Sequence, residues 1–279
     1  MSDADLMRRL ERFYDAVPRD HARVEEFGGL VLFLRNGAGW PYYARPRPGA
    51  TVPPSAADIE AVRARQRELG LPEAFEWVHE NNPELLNLAR AAGLSVLEAP
   101  LMVLDRAALP APESLSDVPV RLLDPADTGF AADLAVRRAV TDIAFGAGGT
   151  QVGDAGPAER DARLLPLARA VVEEERLLAH SGRRLSALAE TPGQGALAAG
   201  TAMRVGDTAE IVGIGTLPAA RRAGLAAAVT AALAQRLLDT GCDLVFLSAG
   251  SEEIARIYHR IGFRRVGTAC IAEPASAVP

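Results

Sequence analysis

Hydrophobic positions in the second half of the chain alternate between helix-type and strand-type spacing. A helical pattern over residues 226–238 ends at Gly241, and an apolar run over 244–248 predicts a buried strand. A further helix over 252–260 and a strand over 265–271 follow. Strands joined by helices in this order predict parallel pairing within an α/β layer.

The first half of the chain repeats the same order of elements. Its pattern predicts helix, strand, helix and strand in turn over residues 56–69, 74–78, 83–90 and 94–104. We interpret the repeat as an internal duplication. A stretch rich in proline and serine separates the halves and favours a linker. A chain of 279 residues also exceeds an ordinary single domain, so we expect two domains, over residues 1–112 and 120–279, joined by residues 113–119.

Antiparallel strands precede the repeated block in the second half. Short strands separated by turn sequences are predicted over residues 120–123, 185–189, 196–204 and 209–217. Two helices, over 130–145 and 158–178, fall between the first and second of these strands. The glycine-rich loop between the helices does not have the spacing of a dinucleotide fingerprint. The fold class is therefore α/β, with a mixed, partly antiparallel central sheet flanked by helices in each domain.

Composition and charge exclude several classes of protein. A net charge of −6 leaves little positive field for a nucleic acid. The longest weakly polar stretch, 224–238, is too short and too polar to span a membrane, and the N-terminus has no secretory pattern, so we expect a cytoplasmic protein. Cys242 and Cys270 lie in apolar strand-like settings, which favours buried thiols over a disulfide or a metal site.

The strongest candidate for chemistry is the segment where the strand over 209–217 turns into the next helix. A helix that opens with glycine and alanine exposes unpaired N–H groups and the positive end of its dipole, which suits a pyrophosphate. Arg221 and Arg222 add positive charge there, while Gly224 leaves room for phosphates and Ala226 keeps the next position small. The simpler alternative is a helix that starts after a turn.

Two glycines in the preceding strand support the functional interpretation. Gly213 and Gly215 are two residues apart, and glycines within strands often mark a bulge or a close approach by a ligand. If this strand diverges from the strand over 244–248, its free backbone groups can pair with an extended amide-containing arm such as pantetheine.

These features resemble the GNAT superfamily of acyl-CoA-dependent N-acyltransferases. The family's phosphate motif, (Q/R)xxGx(G/A), is similar to Arg221, Gly224 and Ala226. A second segment over residues 254–263 resembles the family's AxxxYxxxGF pattern. The asparagine that often begins this second segment is replaced around residues 251–252. The resemblance covers about the last 160 residues of the chain.

The resemblance implies roles for individual residues. Tyr258 is expected to protonate the departing thiolate of CoA, with packing in the core as the alternative. Glu210 is the candidate base, with an ordinary exposed strand glutamate as the alternative. Ser248 can donate to the acyl oxygen, or it is simply a polar strand end. The expected contacts to acetyl-CoA are made by Ile214, Gly215, Thr216, Arg221, Arg222, Ala223, Gly224, Leu225, Ala226 and Ser248.

Other polar residues have less specific interpretations. His259 is expected on the surface, and residues 173–175 on a solvated helix face. The glycine-rich loop is either a flexible element near the acceptor pocket or a plain connector. In the first half Ala89 stands where Tyr258 does, so we expect a degenerate GNAT-like partner domain. Its polar residues either reach the acceptor or divide between core aromatics and exposed arginines; they are Arg35, Trp40, Tyr42, Tyr43, Arg45 and Arg47.

The resemblance implies an N-acetyltransferase that moves the acetyl group of acetyl-CoA to a primary amine by direct attack in a ternary complex. No metal and no nucleic acid partner are expected, and a homodimer is left open. One alternative is a catalytically silent CoA-binding or regulatory protein, which needs neither Tyr258 nor an acceptor pocket. Another is an interaction module in which both halves are scaffold.

Overall fold

The structure, a computed structural model of the chain, describes residues 2–37 and 42–275. The helices are α1 (Asp3–Arg19), α2 (Ala56–Glu68), α3 (Glu84–Ala91), α4 (Phe130–Gly146), α5 (Pro157–Ala162), α6 (Arg169–His180), α7 (Leu225–Asp239) and α8 (Glu252–His259). The strands are β1 (Ala22–Phe27), β2 (Leu30–Arg35), β3 (Arg45–Pro46), β4 (Phe75–Val78), β5 (Leu94–Leu104), β6 (Val120–Leu122), β7 (Arg184–Thr191), β8 (Gly195–Val205), β9 (Thr208–Thr216), β10 (Leu244–Ser248) and β11 (Phe263–Pro274). Short 3-10 turns occur at His79–Asn81, Arg106–Ala108, Pro112–Ser114 and Pro218–Ala220.

Contacts divide the chain into two compact units. The first contains residues up to Leu101, together with Ser248–Ser251 and the segment from Arg265. The second contains Met102–Leu247 and Glu252–Arg264. The expected boundaries at residues 112 and 120 remain a prediction.

The first unit contains two groups of strands. β1, β2 and β3 pair in that order as an antiparallel sheet. β11 lies between β4 and β5 and runs antiparallel to β4, with Cys270 opposite Trp77. Apolar residues of β2, α2, β4 and α3 pack together as its core, which includes Leu30, Leu32, Ile59, Val62, Phe75, Trp77, Leu85 and Ala89. Burying this apolar area is the main favourable contribution to folding.

A charged cluster is buried in the first unit. The Arg45 side chain is only 4% exposed, and its Nη1 donates to a Glu76 carboxylate oxygen at 2.5 Å. Its Nη2 lies 3.8 Å from Glu11, and its guanidinium stacks over the Tyr14 ring at 4.3 Å. Burial raises the pKa of Glu11 above its ordinary value, and the charge of Arg45 opposes that shift. Arg45 is thus neither solvent-exposed nor free to reach an acceptor, which corrects both sequence-based alternatives for this residue.

The other polar residues of the first half have local partners. Arg35 donates to the Tyr42 hydroxyl at 2.9 Å, and Arg47 donates to Glu26 at 2.9 Å. Tyr43 is half-buried. Trp40 lies outside the described residues.

The second unit contains an antiparallel meander with one parallel strand at its edge. β6, β7, β8 and β9 pair in order, and β10 then pairs with β9 in parallel. α4 and α7 pack on opposite faces. A Cβ on Gly215 would meet Thr141 and Ala144 of α4, whereas one on Gly200 would meet Val229 and Leu233 of α7.

Most predicted elements are confirmed to within two or three residues, and the α/β fold class is confirmed. The same order, helix, strand, helix, strand, occurs in α2–β5 and in α7–β11. The single helix predicted over 158–178 is wrong, because α5 ends at Ala162 and α6 begins at Arg169. Pro166 lies in the break, and proline disfavours helical conformation in the residue before it. Cys242 and Cys270 are buried thiols that form no disulfide with each other, as predicted. Among the described residues, every helix is too short or too polar to cross a membrane.

Replacing Arg45 by methionine should destabilise the protein. The substitution leaves Glu11 and Glu76, whose side chains are only 13% and 16% exposed, without their cationic partner, and we expect the free energy of unfolding to fall by about 3 kcal/mol. Arg47→Met is the matched control, because the Glu26 side chain that it pairs with is 61% exposed, and it should cost less than about 1 kcal/mol. Urea denaturation of the three proteins measures both values, and equal losses would contradict the assignment.

Candidate active site

The turn into α7 is lined by backbone N–H groups that have no hydrogen-bond acceptor among the described residues. Gly224 is the N-cap of this helix and provides no side-chain cap. From Arg222 to Ala227, no N–H group donates a hydrogen bond to any residue in the described part of the chain. A row of free N–H groups at the positive end of a helix dipole is a ready binding site for an anion.

Arg222 combines backbone strain with a free charge. Its φ of 70° makes it the one non-glycine residue with positive φ within residues 2–37 and 42–275. A left-handed conformation costs a residue with a Cβ about 1 kcal/mol, and such strain concentrates at functional sites. The side chain is exposed and has no hydrogen bond or ion pair with a described residue. Its charge is therefore available to an anion.

Gly224 is required for a different reason from the one that its motif implies. Its φ is 75°, and an added Cβ would lie only 1.9 Å from the carbonyl oxygen of Leu115. Residues of the predicted linker therefore fill the space beside Gly224 that we expected phosphates to approach. The free N–H groups, rather than an open space beside the Gly224 Cα, remain the feature that suits a pyrophosphate.

Arg221 differs from its neighbour because its charge is already engaged. Its Nη1 donates to the carbonyl oxygens of Gly148 at 2.8 Å and Gln151 at 3.0 Å. Its Nη2 donates to the carbonyl of Ala144 at 3.0 Å. All three acceptors belong to the end of α4 and the loop that follows it. The two motif arginines thus have separate environments, one held by the protein and one facing solvent.

β9 and β10 diverge within the second unit. Their parallel pairing is confined to Thr208–Glu210 and Leu244–Phe246, although β9 continues to Thr216. Within the described chain, the later part of β9 has no register partner in β10, so its backbone groups on that side are free to pair. Thr216 Oγ1 is also buried without a hydrogen-bond partner among the described residues. The segment contains Ile214, Gly215 and Thr216, three of the predicted contacts to acetyl-CoA.

A β-bulge in β9 decides which way Glu210 faces. Ala199 of β8 is opposite Gly215, whereas Thr201 is opposite Val212, so the two residues between them on β9 face one residue on β8. Simple alternation would place Glu210 and Gly215 on opposite faces, but the extra residue brings them to the same, α4-facing side. Glu210 is 5% exposed, which excludes the alternative of an exposed strand glutamate.

A buried polar network that could not be predicted from the sequence pattern occupies the same face. Arg137 of α4 donates to the hydroxyls of Ser186 and Thr201 at 2.7 and 3.0 Å, and it lies 3.6 Å from Glu175. Burial lowers the pKa of Arg137, and the charge of Glu175 opposes this effect. Glu175 also pairs with Arg184 at 3.2 Å, so its placement on a solvated helix face is corrected. The available signal was a charge at position 137, within the apolar stripe of α4 that includes Leu134 and Val140.

Tyr258 lies buried on α8. Its residue exposure is 7%, and its ring packs edge-on against Phe263 with centroids 6.0 Å apart. Burial raises its pKa above the ordinary value near 10. The phenol therefore stays protonated at neutral pH, as a general acid requires. Packing in the core and an acid role are compatible in this position, because the hydroxyl makes no hydrogen bond to a described residue.

The remaining predicted residues have simpler surroundings. The Leu225 side chain is buried, while Ala226 is half-buried and Ala223 is exposed. Ser248 ends β10, is half-buried, and belongs to the first unit by its contacts. His259 is exposed, as expected, and its Nδ1 lies 2.9 Å from the Phe263 carbonyl oxygen.

Comparisons with known proteins agree with this architecture. Residues 188–271 match the family model described as FR47-like protein. A GCN5-related N-acetyltransferase from Kribbella flavida is 23% identical with a TM-score of 0.69, over 98% of this chain and 97% of that chain. A GNAT-family structure from Novosphingobium aromaticivorans is 16% identical with a TM-score of 0.53, over 94% of this chain and 95% of that chain. No curated protein is significantly similar.

A tandem arrangement is also represented among the similar structures. A tandem GNAT protein from the clavulanic acid biosynthesis pathway is 13% identical with a TM-score of 0.50, over 89% of this chain and 79% of that chain. These likenesses confirm the resemblance predicted from the two sequence motifs. At these identities the likenesses show a shared fold.

A methyl group at position 224 should be costlier than one at position 213. Both glycines have positive φ, but a Cβ on Gly213 would meet no atom of residues 2–37 and 42–275 within 4 Å, whereas one on Gly224 would collide with the Leu115 carbonyl. We expect Gly213→Ala to lower the free energy of unfolding by about 1 kcal/mol and Gly224→Ala by about 3 kcal/mol. Chemical denaturation measures both losses in free energy of unfolding. Equal losses would show that the Leu115 backbone can move aside with no measurable loss of stability.

Proposed function

Since the chain has the fold of the GNAT superfamily, we propose that it is an N-acetyltransferase that moves the acetyl group of acetyl-CoA to a primary amine by direct attack in a ternary complex. The observation that supports this most is the row of free N–H groups from Arg222 to Ala227 beside the exposed Arg222 guanidinium. A pyrophosphate is the part of the CoA molecule that such a site suits.

The diverging part of β9 suits the rest of the same substrate. Pantetheine contains amide groups that can pair with free backbone groups as an added strand would. Thr216 Oγ1, which has no partner among the described residues, can pair with one of these amides. In this proposal Ile214, Gly215 and Thr216 contact the arm, and Ala223, Leu225 and Ala226 contribute backbone N–H groups to the phosphates.

The proposed transfer requires three proton movements. The attacking nitrogen must be a free amine, so a base removes a proton from the ammonium form before the new C–N bond forms. Glu210 is the candidate for this step, directly or through water, since it is a buried carboxylate on the α4-facing side of β9. As the C–S bond breaks, Tyr258 donates its phenolic proton to the leaving sulfur. The second proton that the attacking nitrogen loses on becoming an amide is released to solvent, from which the phenol is reprotonated. Positioning and backbone polarisation of the carbonyl supply the rest of the rate.

Binding and turnover can be tested separately. We expect CoA to bind much more tightly than pantetheine, by 100-fold or more, because pantetheine lacks the nucleotide and its pyrophosphate. Arg222→Ala should weaken CoA binding about tenfold by removing one charge-assisted contact. Titration calorimetry measures these affinities.

An amine panel then distinguishes the enzyme from a silent CoA-binding protein. Amine-dependent thiol release from acetyl-CoA supports transfer, whereas tight CoA binding without release by any amine favours the silent alternative. Equal affinities for CoA and pantetheine would refute the phosphate site itself.

Tyr258→Phe should lower kcat by roughly 100-fold, the usual contribution of a general acid, and leave the Kd of acetyl-CoA unchanged. The ring packing against Phe263 is retained in this variant. Because burial raises the pKa of Tyr258, any loss of wild-type rate from its deprotonation should appear only above pH 10. Arg256→Ala, an exposed change on the same helix, should keep the wild-type rate. A Tyr258→Phe variant with unchanged kcat would remove the acid role.

A further inference from the structure

The loop between α4 and α5 needs contacts with other parts of the chain to keep one conformation. Residues 146–156 contain five glycines, and a glycine-rich segment loses much conformational entropy when it is ordered. Its far end is attached to the turn before α7. Gly153 donates to the Pro218 carbonyl at 3.2 Å, and Ala219 donates to the Ala155 carbonyl at 2.9 Å. The near end and the middle of the loop depend on other contacts.

Arg221 provides those contacts from the phosphate motif. One planar guanidinium accommodates the carbonyl oxygens of Ala144, Gly148 and Gln151. Ala144 lies in the last turn of α4, where the negative end of the helix dipole attracts a cation. Arg221 therefore joins the end of α4, the middle of the loop and the turn that precedes α7.

A second contact joins the loop to the helix that holds Tyr258. The Thr150 hydroxyl donates to the carboxylate of Glu253, in the first turn of α8. Thr150 lies between two of the residues whose carbonyls Arg221 holds. A shift of the loop would therefore disturb contacts with both the turn that precedes α7 and the first turn of α8.

We propose that Arg221 is a positioning residue that clamps the 144–151 segment, and that Arg222 alone provides the side-chain charge for phosphate. The local geometry divides these roles, since the three carbonyl acceptors satisfy one guanidinium and the neighbouring one has no partner among the described residues. The clamp follows from contacts within the chain, while the assignment to Arg222 rests on the proposed function.

The clamp is tested first without any ligand. Phe145 is 64% exposed and lies inside the clamped segment, so chymotrypsin can report on the peptide bond that follows it. We expect Arg221→Ala to speed cleavage at this bond at least tenfold and Arg222→Ala to leave it at the wild-type rate. Amide exchange of residues 145–153 should increase in parallel. Wild-type cleavage and exchange rates in Arg221→Ala would overturn the clamp.

Arg221→Lys covers the case in which the alanine variant does not fold. Lysine keeps the charge but lacks the planar fork that spans three carbonyls, so we expect a cleavage rate between those of wild type and Arg221→Ala. A lysine variant cleaved at the wild-type rate would mean that charge alone suffices, and the proposed geometry would be wrong.

Affinity and kinetics test the division of roles. With CoA, Arg221→Ala should change Kd by less than threefold, whereas Arg222→Ala weakens it about tenfold. In turnover, Arg221→Ala should lower kcat and raise the KM of the amine while the KM of acetyl-CoA stays unchanged, with partial recovery in Arg221→Lys. A loss of CoA affinity in Arg221→Ala equal to that in Arg222→Ala would overturn the assignment. If wild type binds no CoA, the proposed function fails, and the ligand-free measurements still decide the clamp.

Discussion

The end of hydrogen bonding between β9 and β10 is the constraint on which the rest of the site depends. Parallel strands that stay paired leave no backbone groups for a ligand, but here pairing stops at Glu210 and Phe246. β9 continues alone on that side, takes up one extra residue at its bulge, and leads directly to the turn before α7. The divergence therefore places a free strand edge and a free helix N-terminus on consecutive stretches of chain.

The bulge separates two kinds of surroundings along β9. On the α7-facing side, Ile214 fills the space beside Gly200 together with Val229 and Leu233, which is ordinary apolar packing. On the α4-facing side, Glu210 shares its face with the network of Arg137, Ser186 and Thr201. Buried charges of this kind are retained only when they are paired and hydrogen-bonded. The polar side of the sheet is thus the one on which we propose that the amine loses its proton.

Local pattern was sufficient to predict the helices and strands, since each depends on neighbours within a few residues. The bounds of β10 were predicted correctly, and those of α7 were predicted to within one residue at each end. The break at Pro166 was missed because an apolar helical pattern continued on both sides of it. The placement of Tyr258 on a helix, and the unpaired N–H groups at the start of α7, could be predicted from the two motifs and the order of the elements around them. The same kind of pattern gave no means to distinguish an exposed from a buried glutamate at position 210.

Contacts between distant parts of the chain account for what could not be predicted. Arg45 meets Glu76 31 residues later, and Arg137 meets Thr201 64 residues later. Arg221 meets the Gly148 carbonyl across 73 residues. The Leu115 carbonyl that lies beside Gly224 is likewise distant from it in sequence. Such pairs leave no periodic trace, because a single arginine or glycine in sequence does not indicate which distant carbonyl or carboxylate it will meet.

Arg222 shows how backbone conformation can separate two adjacent charges. A left-handed residue turns the chain sharply, so the side chains of Arg221 and Arg222 have different surroundings although they are neighbours. Glycine at position 222 would relieve the strain at no steric cost, yet it would remove the only one of the two charges that is still available. The fold accepts about 1 kcal/mol of strain to keep an arginine there. That cost is understandable if the cation has an anionic partner, and the adjoining row of N–H groups also suits an anion.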